Sequence, residues 1–357
     1  MRHARNQSHR ICLIAGDGIG PEVLREGRRL LEWARDRRGI RLDLWPLDLG
    51  ADRYLRDGTT LPAELKAEIR DTASAILLGA LGDPRIPDHE HARQILFGFR
   101  TGFDLYAQIR PSRALVDRVV PLAGRTHRDV DFVVFREGTE GAYSGIGGQL
   151  RRDTPLEIAI EEDVNTRHGV ERILRAAFAF AERERRPLCL ADKSNALRYG
   201  HDLWQRTFAE IRRDYRDVQA EHLYIDALCH ELVRDPARFS VIVTTNLFGD
   251  IVSDLCAALA GGLGLCPSAS LNPEARVPGL FEPVHGSAPA LAGRGIANPL
   301  AMLRSAGMLL DFLGHSEEHT EIERACADAL AAGECTPDVG GALDTEAAAR
   351  AVIQRLT

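Results

Sequence analysis

Short unbroken apolar runs alternate with stretches of helical period along most of this chain, and that alternation narrows the fold more than any other feature. Residues 10–15, 74–81, 130–135, 188–191, 223–225 and 241–244 read as buried strands. Residues 166–185, 199–214 and 249–260 read as helices between them. The first strand runs into the tight loop Gly16-Asp17-Gly18-Ile19-Gly20. A helix then opens with Pro21 in its first turn, where a missing N–H is harmless. Val23, Gly27, Leu30, Leu31 and Ala34 fall on one face of that helix. Such a pattern predicts an α/β fold with a largely parallel sheet. Ligands of such sheets sit beyond the carboxyl ends of the strands. Residues 143–155 are polar and Gly-rich, and composition leaves hairpin and arm equally open.

A chain of 357 residues buries a large core and is expected to form two domains. Its net charge of −7, with both signs mixed, gives no footprint for nucleic acid or an anionic membrane. No apolar run approaches the roughly 20 residues that span a bilayer. Residues 1–10 are basic and lack the apolar stretch of a signal peptide. Seven cysteines, odd in number and without Cys-x-x-Cys spacing, fit a reduced cytoplasm and no structural zinc.

Of 45 basic residues, only Lys66 and Lys193 are lysine. Arg keeps its proton in any protein environment, whereas a Lys can lose one and act as a base. Lys193, in Ala191-Asp192-Lys193-Ser194-Asn195, is therefore a candidate for proton transfer, though Lys66 shows that an ordinary helix also tolerates Lys. Asp250 and Asp254 lie four apart on a predicted helix and face one way, which suits Mg²⁺ or Mn²⁺. Helix capping is the competing explanation. Arg100, Arg110 and Arg136 could hold carboxylates bidentately, or could be surface charges. Tyr143 could act as an acid if its pKa were lowered. The loop Glu282-Pro283-Val284-His285-Gly286-Ser287-Ala288-Pro289 could approach a phosphate or ribose closely. A serine hydrolase would use similar residues, but no G-x-S-x-G elbow exists. Gly16-x-Gly18-x-Gly20 lacks the usual dinucleotide spacing, so a plain tight turn competes with a cofactor loop.

Taken together, these segments resemble the isopropylmalate/isocitrate dehydrogenase superfamily of metal-dependent, decarboxylating 2-hydroxyacid dehydrogenases. The resemblance rests on residues 16–22, Asp104-Leu105-Tyr106-Ala107-Gln108-Ile109-Arg110-Pro111, and Arg136-Glu137-Gly138-Thr139-Glu140-Gly141-Ala142-Tyr143. Lys193-Ser194-Asn195, Asn246-Leu247-Phe248-Gly249-Asp250, Asp254, residues 282–289 and Ile296-Ala297-Asn298-Pro299 continue it in order.

The resemblance implies a two-domain fold with a central mixed sheet flanked by helices, not a true Rossmann fold. One domain would join residues 1–105 to 262–357; the other, 106–261, would carry the metal ligands and the dimer interface. Arg100, Arg110 and Arg136 would bind substrate carboxylates, and Asp226, Asp250 and Asp254 the metal. Lys193 would be the catalytic base and Tyr143 the catalytic acid. Asn195, Glu282, His285, Gly286, Ser287, Ala288, Ala290 and Asn298 would line the NAD site. Mg²⁺ or Mn²⁺ would be required, with K⁺ as a further candidate. The protein would be a homodimer in which Lys193 and Asp226 reach into the neighbour's site. The implied reaction removes the 2-hydroxyl proton, passes hydride to NAD and releases CO₂, after which Tyr143 protonates the enolate carbon.

Pro87-Asp88-His89 and Ser270-Leu271-Asn272-Pro273-Glu274 resemble the tartrate/D-malate branch, which is the expected activity; 3-isopropylmalate dehydrogenase is the alternative. A non-catalytic regulatory subunit is the alternative of another class, against which the chain keeps its Lys, Tyr and Asp residues. Leu96 and Phe97 are expected to face the substrate's variable group and to disfavour a third carboxylate. Arg93 would either welcome an anion there or face solvent. One position departs from the pattern. Where these dehydrogenases usually carry an Asp for the NAD ribose, this chain has Ala290.

Overall fold

The computed structural model describes residues 7–356, so the first six positions of the basic N-terminal stretch lie outside the described residues. Its strands are β1 (His9–Gly16), β2 (Leu42–Leu47), β3 (Ala75–Ala80), β4 (Ala107–Arg113), β5 (Asp131–Glu137), β6 (Gly147–Leu150), β7 (Ile158–Glu161), β8 (Leu188–Asp192), β9 (Ala220–Tyr224), β10 (Val241–Thr244), β11 (Pro267–Leu271) and β12 (Gly279–Pro283). Ten of them form one sheet in the order β2-β1-β3-β12-β11-β4-β5-β10-β8-β9. β6 and β7 form a separate hairpin.

The sheet is mixed. Its flanks are parallel, as β1 with β2 and β3, and β10 with β5 and β8. Its centre is antiparallel, where β4 pairs with both β5 and β11, and β11 with β12. The alternation of apolar runs and helices revealed only the parallel flanks. β4 carries Arg110, Pro111 and Arg113, and β11 is short and rich in Ser, so neither shows an apolar run. β2 holds Pro46, which an edge strand tolerates because it pairs on one side only. Residue 225 is not strand: β9 ends at Tyr224, and Ile225 opens the helix Ile225–Arg234.

Helices cover both faces of the sheet. The helix Gly20–Arg38 and the helix Leu300–Phe312 bury Val23, Leu30, Leu31, Met302 and Leu310 against β1, β3 and β12. The helix Arg167–Glu184 buries Val170, Ile173, Leu174, Ala177 and Phe178 against β5, β8 and β10. Each buried Val, Leu, Ile or Phe contributes about 1.5–3 kcal/mol.

The loop after β1 is a packing device. Gly18 has φ +57°, and a Cβ there would lie 2.0 Å from the carbonyl oxygen of Ser287. Ile19 N–H donates to that oxygen at 2.8 Å. The loop's glycines thus let residues 17–20 dock on the 284–289 loop. Asp17 is buried, and its carboxylate accepts from Ala51 N–H (2.6 Å) and Gly82 N–H (2.7 Å) and meets His91 Nε2 at 2.8 Å. One carboxylate therefore ties three segments together.

Candidate active site

The centre of the molecule, around β4, β5 and the helix Asn246–Leu259 that follows β10, holds a cluster of arginines and acids. Arg110 projects from β4, and Arg136 from β5 beside it. Both donate to Asp250 Oδ1, Arg110 at 3.1 Å. Arg110 also donates to Ser253 Oγ at 2.8 Å, and Arg136 to Asn246 Oδ1 at 2.7 Å. The helix can come this close because residue 249 is glycine; a Cβ there would lie 2.5 Å from Arg136 Cγ. Tyr143 lies over the cluster. Its hydroxyl donates to Asp250 Oδ2 at 3.2 Å, and its ring centroid is 5.4 Å from the Arg136 guanidinium carbon.

Electrostatics identify what this cluster lacks. Burial pushes the Arg110 and Arg136 guanidiniums below their ordinary values; Arg110 and Arg100 lower Arg136 further, and Arg100 lowers Arg110. Guanidiniums stay protonated, so such crowding calls for an anion. The Nε atoms of Arg100 and Arg136 are buried without a hydrogen-bond partner. A dicarboxylate would supply acceptors for both.

The two acids diverge. Burial raises the Asp250 carboxyl, but Arg136 and Arg110 outweigh it and hold it below its ordinary value. Asp254 ends above its own, through burial and the charge of Asp250, despite Arg110. The pair is thus two carboxylate sites with one under-neutralised, which suits a hard divalent cation. Among the described residues, no three acidic, histidine or cysteine side chains converge on a metal position. Asp226 stands apart, in the first turn of the helix Ile225–Arg234, paired with Lys193 at 2.5 Å.

The Tyr143 phenol is shifted in the direction that keeps it a proton donor. Burial and the neighbouring Asp250 raise its pKa rather than lower it. The phenol therefore keeps its proton as an O–H donor.

Arg100 does not join Asp250. It donates to Glu282 Oε1 at 2.8 Å, so the expected cofactor residue Glu282 is held by an expected substrate residue. Arg93, Phe97 and Tyr143 line a cleft of about 300 Å³ with Thr101, Thr139 and Asn246. Leu96 does not line that cleft; it packs against the core containing Ile95 and Phe99.

A second cleft, about 390 Å³, opens between the 16–18 loop, the 82–85 loop and Pro289 and Ala292, which flank Ala290. Ala290 is exposed on a short 3₁₀ turn, and Gly286 faces open space. Ser287 and Ala288 complete the loop. His285 Nε2 is buried with no partner, an atom a ligand could satisfy. Asn195 is exposed in the turn after Lys193. Asn298 lies just before the helix Leu300–Phe312. Its side chain accepts from Leu300 N–H and donates to Asp338, each at 3.0 Å, which commits it to the start of a helix. Sequence reasoning missed the Asp17–His91 pair and His201, whose Nδ1 accepts the backbone N–H of Lys193.

The model of the isocitrate/isopropylmalate dehydrogenase family matches residues 10–355. The chain belongs to that family. It is 46% identical over 322 residues to the 3-isopropylmalate dehydrogenase of Thermobifida fusca, covering 90% of this chain and 91% of the relative. It is 45% identical over 340 residues to that of Streptomyces griseus subsp. griseus, covering 93% and 96%. Among solved structures, isocitrate dehydrogenase from Methylococcus capsulatus matches with a TM-score of 0.88 at 35% identity, covering 98% of this chain and 99% of that one. This member of the isocitrate/isopropylmalate dehydrogenase family is a decarboxylating hydroxyacid dehydrogenase. Curated relatives at 44–47% identity carry the name 3-isopropylmalate dehydrogenase, which favours the alternative over the expected tartrate/D-malate assignment.

Proposed function

We propose that the chain oxidatively decarboxylates 3-isopropylmalate with NAD and Mg²⁺ or Mn²⁺. The crowding of Arg110 and Arg136 on Asp250, with buried donors left open on Arg100 and Arg136, carries the reading of a dicarboxylate site. Phe97 in the adjoining cleft, with the names of the relatives, supports an alkyl substituent.

In this reading Arg100, Arg110 and Arg136 orient the two carboxylates by charge-assisted hydrogen bonds. Asp250 and Asp254, with Asp226 of a second copy, would hold the cation, whose chemistry when bound is polarisation of substrate oxygens. NAD beside the 284–290 loop would supply the hydride acceptor. Lys193 takes the hydroxyl proton, and Tyr143 returns a proton to carbon.

Two features support a homodimer with shared sites. Lys193 and Asp226 pair with each other and form no hydrogen bond or ion pair with the Asp250 cluster. The β6–β7 hairpin leaves Ile146, Leu150, Leu156, Ile158 and Ile160 46–66% exposed. An isolated two-stranded hairpin is marginal in water, so a second chain is the natural cover. Residues 1–105 with 262–357, and 106–261, then form the two domains either side of the β11–β4 junction. The seven unpaired cysteines fit a cytoplasmic location. Among the described residues, no helix is long and apolar enough to cross a membrane.

The test is NADH formation with Mn²⁺ and K⁺ across 3-isopropylmalate, D-malate, the tartrates and isocitrate. The expected result is kcat/KM for 3-isopropylmalate at least about tenfold above the others, the scale of alkyl-group discrimination. D-malate or tartrate in first place would overturn the substrate.

A further inference from the structure

Lys193 lies just past the end of β8, in a turn, where a side chain holds its position only if the backbone does. Its carbonyl accepts from Ala196 and Leu197 N–H at 2.9 and 2.8 Å. Its own N–H donates to Nδ1 of His201 at 2.9 Å. His201 sits at the start of the helix Gly200–Ile211 and is 1% exposed. Its ring packs against Phe248, centroids 5.6 Å apart, and Phe248 is two residues before Asp250. One imidazole thus touches the backbone of the lysine and the helix turn that delivers the aspartate.

The bond dictates the state of the ring. An N–H donor needs a lone pair on Nδ1, so the ring is neutral and carries its proton on Nε2. Nε2 lies 3.9 Å from Asp163 Oδ2, too far for a direct hydrogen bond. Burial lowers the imidazole's pKa, while Asp192 and Asp163 oppose that shift. The Asp192 carboxylate braces the same turn by accepting from Ser194 N–H at 2.9 Å and Gln205 Nε2 at 2.7 Å, and it meets His222 Nε2 at 2.9 Å.

We propose that His201 is a positioning residue for Lys193, acting as the acceptor that sets the lysine backbone relative to the substrate. This rests on the reading of Lys193 as the reaction's base. His201 does not reach substrate; it acts only through residue 193. A small displacement of a reacting group can cost up to about 10²-fold in rate.

Two polar variants separate this from a general packing role. In His201→Asn, Oδ1 stands as many bonds from Cα as Nδ1 does, so the acceptor is kept. In His201→Gln, the oxygen stands one atom further out and is misplaced. The expected result is kcat down about tenfold or more in His201→Gln, with KM unchanged, and within about threefold of wild type in His201→Asn. The primary isotope effect with 2-deuterated substrate should rise only in the Gln variant. His201→Leu, which fills the space without an acceptor, repeats the comparison if the Gln variant fails to fold. Equal kcat in the Asn and Gln variants, or a loss confined to KM, would overturn the proposal while leaving Lys193 as the base. Near-normal turnover in Lys193→Arg would sink both.

Discussion

Lys193 Nζ lies 2.5 Å from Asp226 Oδ1, and neither side chain forms a hydrogen bond or ion pair with Asp250 or Asp254. The pair is partly exposed, at 28% and 67%, so it contributes little to stability. The Lys193 hydrogen bond holds the Asp226 carboxyl below its ordinary value. Lys193→Arg preserves the charge and the pairing but removes the ability to release a proton. That variant is expected to fold and bind Mn²⁺ normally, with kcat lowered about 10²-fold, the scale of a lost general base. Steady-state kinetics beside a Mn²⁺ titration check it.

Ala290 stands on an exposed turn flanked by two cleft residues, and its own side chain offers no carboxylate to ribose hydroxyls. A hydrogen bond to a charged group is worth about 1.5–3 kcal/mol, or about tenfold or more in affinity. Ala290→Asp should therefore lower the KM for NAD about tenfold while leaving kcat near its starting value. An unchanged KM would show that the ribose lies elsewhere.

Arg304 is buried and grips Glu323 with two hydrogen bonds, Nε at 2.7 Å and Nη2 at 2.9 Å, while Nη1 reaches the carbonyl of Leu265. Burial raises the Glu323 carboxyl, but Arg304 outweighs it and leaves the folded pKa below the ordinary value. A depressed folded pKa gives stability that is present above the unfolded value and lost as pH falls through the folded one. Denaturant unfolding should therefore show stability falling on acidification, with a shallower fall in Glu323→Gln. Glu323→Ala strands the guanidinium and should cost about 3–5 kcal/mol at neutral pH.

The legibility of the fold followed burial on both faces. β3, β8 and β10 are buried at every residue and stood out as apolar runs. β4 did not, because the arginines that make it useful break its apolar pattern. The β6–β7 hairpin is exposed throughout, so no periodicity could choose between hairpin and arm. In the site, Arg110, Arg136, Tyr143 and Asp250 were legible from family segments. Asp17 and His91 were not, because 74 residues separate them and only the folded chain joins them. His201 is close to Lys193 in sequence, but its role lies in a backbone hydrogen bond that no residue pattern announces.

Shared sites make a prediction that no single-chain site can meet. Lys193→Arg alone and Asp250→Asn alone should each be nearly inactive, since each dimer site would lack one group. Mixed in equal amounts and refolded together, half of the dimers pair one variant with the other. In such a dimer one site takes its lysine and its aspartate from intact copies, while the other has lost both. Roughly a quarter of wild-type activity should return, given random pairing in a twofold dimer. Co-refolding followed by an NADH assay measures it directly. Recovery near zero would mean that Lys193 and Asp250 serve the same chain's site, and would require the Lys193–Asp226 pair to swing toward its own Asp250 on substrate binding.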